Sequence, residues 1–257
     1  MTGARLLALQ FHADMLRFWR NPQSRYFTVM LPVVFLVLFA AIFKGDTRVD
    51  GRVIPITTFY VPSIMTLGII SATFVNISIA VVTQRERGEL KRVRGTPLPA
   101  SFVICSRAGV GVVVAIVMAA LLLALGRIAY GVSIPGATIG GLILATIVGA
   151  ASFACMAFAF SSLVRSAEAA PPATNLLVLP LYFISGVFVP EAQIPSFLRD
   201  VATLFPIHHL AQAMRRPFVL PQGAGVSTGD LLIVAAWGVA ALALAARTFE
   251  WSPLAPE

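Results

Sequence analysis

Charge is what this chain has least of. Of its 257 residues only 12% are Asp, Glu, Lys or Arg, while 58% are hydrophobic and the mean hydropathy is +0.88. A soluble domain carries roughly 25% charged residues, so an ordinary soluble globule is excluded and a membrane protein is indicated. Six long apolar runs have no Asp, Glu, Lys, Arg or His at their centres. Ionisable groups at bilayer depth mark ion paths and proton relays, and their absence argues against an ion-coupled carrier or a charge-lined channel. Cysteine is nearly absent too. Cys105 and Cys155 lie in or beside apolar runs, which excludes a disulfide framework. Lysine occurs only at Lys44 and Lys91, after Phe43 and Leu90, so no Gly-Lys pair exists to cradle a nucleotide phosphate. No GxSxG elbow occurs. His12, His208 and His209 fall outside the runs, and a helix would splay the adjacent pair by about 100°, which suits shared metal ligation poorly. Gln10, His12 and Asp14 interrupt the only stretch that could serve as a cleavable signal peptide.

What remains is a set of runs matched to a bilayer. A hydrocarbon core of about 30 Å needs roughly 20 helical residues. Runs at about 26–43, 57–82, 106–130, 137–164, 173–189 and 231–246 meet or approach that length, the fifth being short. They are continuous rather than alternating, so helices are expected and not barrel strands. Residues 1–257 read as a single domain, because no polar module separates the runs. Pro32, Pro62 and Pro180 fall inside spans, where neighbouring helices can satisfy the freed carbonyls. Gly136 and Gly140 form a GxxxG that either permits a close helix contact or reflects chance in a Gly-rich chain.

The net charge of +8 comes from 19 cations, 17 of them Arg, set mostly beside apolar runs. That is the pattern of the positive-inside rule rather than of a nucleic-acid surface. With both termini inside, twelve cations fall on the inner segments and seven on the outer. Both ends are therefore expected in the cytoplasm. In residues 1–21, Leu7, Phe11, Met15 and Phe18 recur on one helical face, with Arg17 and Arg20 away from it, which predicts an amphipathic helix on the inner membrane surface. Residues 190–229 are too polar to span and too apolar for a free loop. Two short helices, about 195–204 and 207–215, separated by Pro206, are expected there as an outer re-entrant hairpin.

The charge that does exist is concentrated in QRERGELKRVRGTPLP, residues 84–99. Helix formers fill 84–94, and Gly95, Pro97 and Pro99 supply a stop. Glu86 and Glu89, spaced i, i+3, read either as part of a salt-bridged solvated face or as a functional carboxylate pair. A short charged helix between two spans can dock a partner and transmit force. The alternative is a plain positive-inside anchor, which six cations suffice for and the interleaved glutamates do not help.

Two stretches carry a family resemblance. RERGELKRVRGTPLP resembles the segment of type-2 ABC transporter membrane subunits, the drug-export permease group in particular, in which an acidic residue and Gly precede a helix ending in Thr-Pro-Leu. LPLYFISGVFVPEAQIPSFLRDVATLFPIHHLAQAMRR resembles that family's fifth span and outer re-entrant hairpin, on Ser185, Gly186, Pro190, Pro195, Pro206 and Arg215. Lys91-Arg92 departs from the acidic or apolar residues more usual there, which bears on partner choice.

The resemblance implies an all-α polytopic membrane protein. It has six transmembrane helices, an N-terminal interfacial helix, a cytoplasmic coupling helix at 84–94 and an outer hairpin at 190–218. It further implies an exporter half in a bacterial inner membrane, pairing with a second permease, identical or homologous, in contact with membrane lipid. Two copies of an ABC ATPase subunit, carrying ATP and Mg, supply the work; the chain itself is neither enzyme nor cofactor site. Glu86, Arg87 and Glu89, with Lys91 and Arg92, are expected at the ATPase contact. Phe35, Phe39, Phe74 and Phe183 either line a path for an apolar or amphipathic solute or simply pack. The competing readings are a stand-alone channel or scaffold whose basic loop binds anionic lipid, and a membrane enzyme, which the missing motifs disfavour.

Overall fold

A computed structural model describes residues 3–49, 51–95, 100–219 and 225–248. Most of them are helical. In lipid a backbone must satisfy its own hydrogen bonds, and a continuous apolar run does so most simply as a helix. The chain runs α1 (Gly3–Arg20), α2 (Pro22–Ile42), β1 (Asp46–Val49), β2 (Arg52–Pro55), α3 (Ile56–Ile70), α4 (Asn76–Glu86), α5 (Glu89–Arg94) and α6 (Ala100–Tyr130). There follow α7 (Ile139–Ser161), α8 (Ala170–Ile184), α9 (Ser196–Ala202), α10 (Pro206–Val219) and α11 (Thr228–Thr248).

Among the described residues four helices are long and apolar enough to cross a membrane: Ile56–Glu86, Ser101–Tyr130, Gly136–Ser161 and Thr228–Thr248. Thr28–Ile42 and Ala170–Ile184 are shorter apolar helices. The protein is thus an all-α, multi-pass membrane protein. The rod Ile56–Glu86 is its axis. It is α3 and α4 joined through one π turn at Ser71–Val75, and almost every α3 side chain is buried. The hydroxyls of Ser63, Thr66, Thr73 and Thr83 each donate to the carbonyl four residues back, so these polar groups need no partner from another helix.

Helices approach closely where side chains are small, since lipid supplies no hydrophobic drive and packing must hold them. A Cβ on Gly238 of α11 would sit 2.6 Å from the Ser152 hydroxyl oxygen of α7, and one on Gly149 of α7 only 2.5 Å from Leu210 of α10. Gly126 of α6 meets Val61 of α3 in the same way. Gly136 and Gly140, the pair singled out by spacing, meet no neighbour within 4 Å.

Two expectations change in detail, and one element was not foreseen. The charged segment is not one helix over 84–94. The rod continues to Glu86, Gly88 takes a left-handed φ of 71°, and α5 begins afresh at Glu89. Residues 96–99, with Pro97 and Pro99, lie outside the described residues. The fifth apolar helix ends at Ile184 rather than 189. The chain turns there at Gly186, φ 75°, a conformation a side chain resists. The loop after α2 forms a two-stranded hairpin, Asp46 paired with Pro55 and Val49 with Arg52. The predicted outer helices appear as α9 and α10, with Pro206 at the start of α10.

A solute-sized cavity between two polar ends

The elements have two ends. One gathers α1, the foot of the rod, α5 and the start of α6. The other gathers the β hairpin, α9, α10 and the start of α11. Between them a cavity of about 1020 Å³ opens beside α2, the π turn and α8. Ligand pockets of drug size run to about 300–1,000 Å³, so the volume suits a whole solute rather than an ion.

The α1 end of the cavity is polar. The apolar face of α1 lies against α6, with the Phe11 ring against Gly109 and Leu7, Met15 and Phe18 half-buried. The most buried residue of that face is not apolar. Asp14, 6% exposed, accepts from the Ser106 hydroxyl of α6 at 2.6 Å and from Gln10 at 3.0 Å. Arg17 pairs with it at 3.3 Å, donates to Gln84 of the rod at 3.5 Å and lies 3.9 Å from Glu89 of α5. Arg107 of α6, 7% exposed, donates to the same Gln84 oxygen, while its Nη1 has no hydrogen-bond partner among the described residues. One polar network therefore touches α1, α4, α5 and α6 together. An isolated half-exposed pair contributes only about 0–1 kcal/mol. The buried members decide the energetics, because an unpaired buried polar group costs about 1–3 kcal/mol.

The other end of the cavity is lined by aromatic rings, Phe35, Tyr182 and Phe188, with others packed behind them. Phe188, just past the Gly186 turn, stands at their centre. Its ring centroid lies 5.3 Å from Phe35, 5.4 Å from Phe39, 5.5 Å from Tyr182 and 5.0 Å from Phe183. Tyr60 stacks on Phe39 at 5.1 Å and donates to the Phe188 carbonyl at 3.3 Å. Tilted and edge-on pairs of this kind add about 0.5–1.5 kcal/mol each beyond burial.

Behind the rings lies a lock. Arg215 of α10, 2% exposed, donates to the Gly186 carbonyl at 2.6 Å, pairs with Glu191 and lies 5.3 Å over the Phe59 ring. Gln212 donates to both Glu191 oxygens, at 2.8 and 3.0 Å. A Cβ on Gly186 would sit 2.9 Å from Glu191, so only glycine fits this turn. Beside it, His209 is hydrogen-bonded at 2.7 Å to Asp230 of α11 and at 2.8 Å to the Thr203 carbonyl, which ties α10 to its neighbours. His208 is buried, and desolvation lowers its pKa below the ordinary histidine value.

The structure brings Ser185, Gly186, Pro190 and Arg215 together around this lock, all buried, with Pro206 buried at the start of α10 and Pro195 exposed before α9. The Ser185 hydroxyl has no hydrogen-bond partner among the described residues. Phe35 lines the cavity. Phe39 lies in the aromatic cap behind it, and Phe183, 52% exposed, stands at its outer side. Phe74 is turned away, packed 5.3 Å from Phe160 of α7. At the α1 end Glu86, Arg87, Lys91 and Arg92 are exposed and Glu89 half-exposed. Glu86 accepts from the Ala167 amide in the loop before α8. Sequence reasoning missed Asp14, Gln84, Arg107, Tyr60, Phe188 and Glu191. Only Asp14 had a local signal: a carboxylate in register with Leu7, Phe11 and Phe18 on an apolar stripe.

Residues 6–219 match the family described as ABC-2 type transporter. The chain is also similar to the probable multidrug ABC transporter permease YbhR of Escherichia coli, in strains K12 and O157:H7 alike. Identity is 23% over 193 residues, covering 74% of this chain and 52% of the relative. The aligned part of the chain thus spans about half the length of these curated relatives.

Proposed function

The chain belongs to the ABC-2 type transporter family, and from that premise we propose that it is the permease half of an ATP-driven exporter. It moves a hydrophobic or amphipathic solute out across a bacterial inner membrane. In this reading the six apolar helices all cross the bilayer, the α1 end faces the cytoplasm, and α9 and α10 lie in the outer leaflet. A second permease, identical or homologous, completes the path, and two ABC ATPase subunits holding ATP and Mg supply the work.

One observation carries the reading: a solute-sized cavity that is polar beside α5 and aromatic at the opposite end. A polar head can rest near the α1 network while an apolar body lies along α2, the π turn and α8. Uncompensated charge deeper in the cavity would be costly, which favours amphipathic over highly charged solutes. Force applied to α5 reaches α1, the rod and α6 at once through Arg17, Gln84 and Glu89. The aromatic cap, which contains no charge, is the barrier that the solute passes on leaving.

The test is reconstitution. The tagged chain is purified from its own cells, and a co-purifying ATPase is identified by its phosphate-loop peptide in mass spectra. Vesicles holding both should concentrate an amphipathic dye only with ATP and Mg, and vesicles holding the chain alone should not. Uphill accumulation by the chain alone, without nucleotide, would overturn the proposal.

A further inference from the structure

The charges around the α4–α5 turn are sorted by sign. Glu86 is engaged by the Ala167 amide, and Glu89 lies toward the Arg17 guanidinium at 3.9 Å. Each carboxylate thus has a partner within the chain, although Glu86 is exposed and Glu89 half-exposed. Lys91 and Arg92 are exposed, and among the described residues their side chains form no hydrogen bond or ion pair; Arg87, also exposed, lines the cavity. Leu90 between them is 1% exposed and pins α5 to the bundle, so the cations ride on a fixed support rather than a loose loop.

We propose that the α4–α5 turn presents a cationic face, carried by Lys91 and Arg92, and that the partner ATPase receives it in an acidic cleft. This rests on reading α5 as the coupling element, and it reassigns Glu86 and Glu89 from partner contacts to internal ties. A membrane surface is the other anionic candidate, and length argues against it. The rod of 31 residues is about 46 Å long at 1.5 Å per residue. A bilayer with its headgroups is about 40–45 Å thick, so the turn at the foot of a rod that crosses it lies at or beyond the headgroup edge. Its exposed side then faces solution. Like charges on the ATPase would repel it, so the sign of this face selects the partner as well as binding it.

The experiment uses the full chain in lipid nanodiscs with the ATPase isolated alongside it. A photoreactive residue at Gly95, exposed next to α5, reports whether the ATPase docks here at all. The double change Lys91→Glu/Arg92→Glu should weaken ATPase binding by about tenfold or more at low salt and flatten its salt dependence. Lys91→Gln/Arg92→Gln should fall between the two. Acid-to-lysine changes in the ATPase cleft should restore binding to the reversed variant. If the crosslink persists but charge reversal leaves affinity and salt dependence unchanged, the electrostatic proposal fails while the coupling reading stands. If no crosslink to the ATPase forms, the coupling reading itself fails, and this proposal with it. If reversal instead lowers only adhesion to phosphatidylglycerol over phosphatidylcholine vesicles, the cations serve lipid, and the proposal is overturned.

Discussion

Both ends of this bundle bury charge at the margin of an otherwise uncharged interior, yet they hold it differently. At the α10 end Arg215 and His209 each hold a backbone carbonyl, of Gly186 and Thr203, together with a carboxylate, of Glu191 and Asp230. Contacts there lie between 2.6 and 3.0 Å, and Arg215 is almost fully buried. At the α1 end the contacts between α1, α4, α5 and α6 are side chain to side chain, and Arg17 reaches its three partners at 3.3, 3.5 and 3.9 Å while half-exposed. Backbone is gripped there only at the foot of the rod, where the buried Arg85 donates to the Ser161 and Val164 carbonyls and Glu86 accepts from the Ala167 amide. A group that holds a turn's own carbonyl cannot let go without distorting that turn. Side chains on four separate helices can exchange partners as the helices shift. The Arg215 lock thus holds the shape of a turn, and in the proposed function the Arg17 network is the part that passes a movement on.

The strongest test of that contrast is Arg215→Met. Removing one partner of a buried pair costs about 3–5 kcal/mol, and here the Gly186 carbonyl loses its side-chain donor and Glu191 its cation, keeping only Gln212. Thermal denaturation in detergent should show the largest loss of any single change at either end, and Arg215→Lys should recover little of it, because a lysine cannot reach both acceptors in the same planar geometry. A melting temperature close to wild type would reject the lock.

Asp14→Ala, at the other end, should cost less in stability, about 1–3 kcal/mol, since Ser106 and Gln10 lose one acceptor and Arg17 one of three partners. Its larger consequence is expected in transport. Release of α1 from α6 should lower solute movement per ATP hydrolysed while hydrolysis itself persists. Equal loss of both would deny the α1 network a part in transmission.

The smallest effect expected is a pH slope. Burial lowers the pKa of His208, so the unfolded chain takes up a proton that the folded chain refuses. This contribution is intact above about pH 6.5, the ordinary histidine value, and is lost as the pH falls toward the lowered folded value. Melting curves from pH 7.5 to 5.0 should therefore decline less steeply for His208→Gln than for wild type. Identical slopes would show that the ring is not held neutral by its surroundings.

The apolar helices were legible because their cause is local. A long uncharged run has one economical way to close its hydrogen bonds, and the same run carries that information unaided. Helices α9 and α10 were legible from a stretch too polar to span and too apolar for a free loop, divided at Pro206. Local features were still misjudged where one residue outweighed its neighbours. Gly88 breaks the charged helix despite strong helix formers on both sides. The Asp50-Gly51 pair, a hairpin signal in its own right, was lost among the charges of its loop.

Chemistry at the two ends was hidden for a different reason. Asp14 meets Ser106 across 92 positions, Tyr60 meets Phe188 across 128, and Arg215 reaches Gly186 across 29. No periodicity or spacing encodes such pairings, because they arise only once helices are packed in a particular order and depth. From its residues alone the chain was bound to be a bundle of membrane helices with charge pushed to the margins, since burying ions in lipid is prohibitive. Which marginal charges face one another, which close on a backbone carbonyl and which are left pointing outward was decided only by the tertiary packing. That packing sets distances between groups that the sequence leaves far apart.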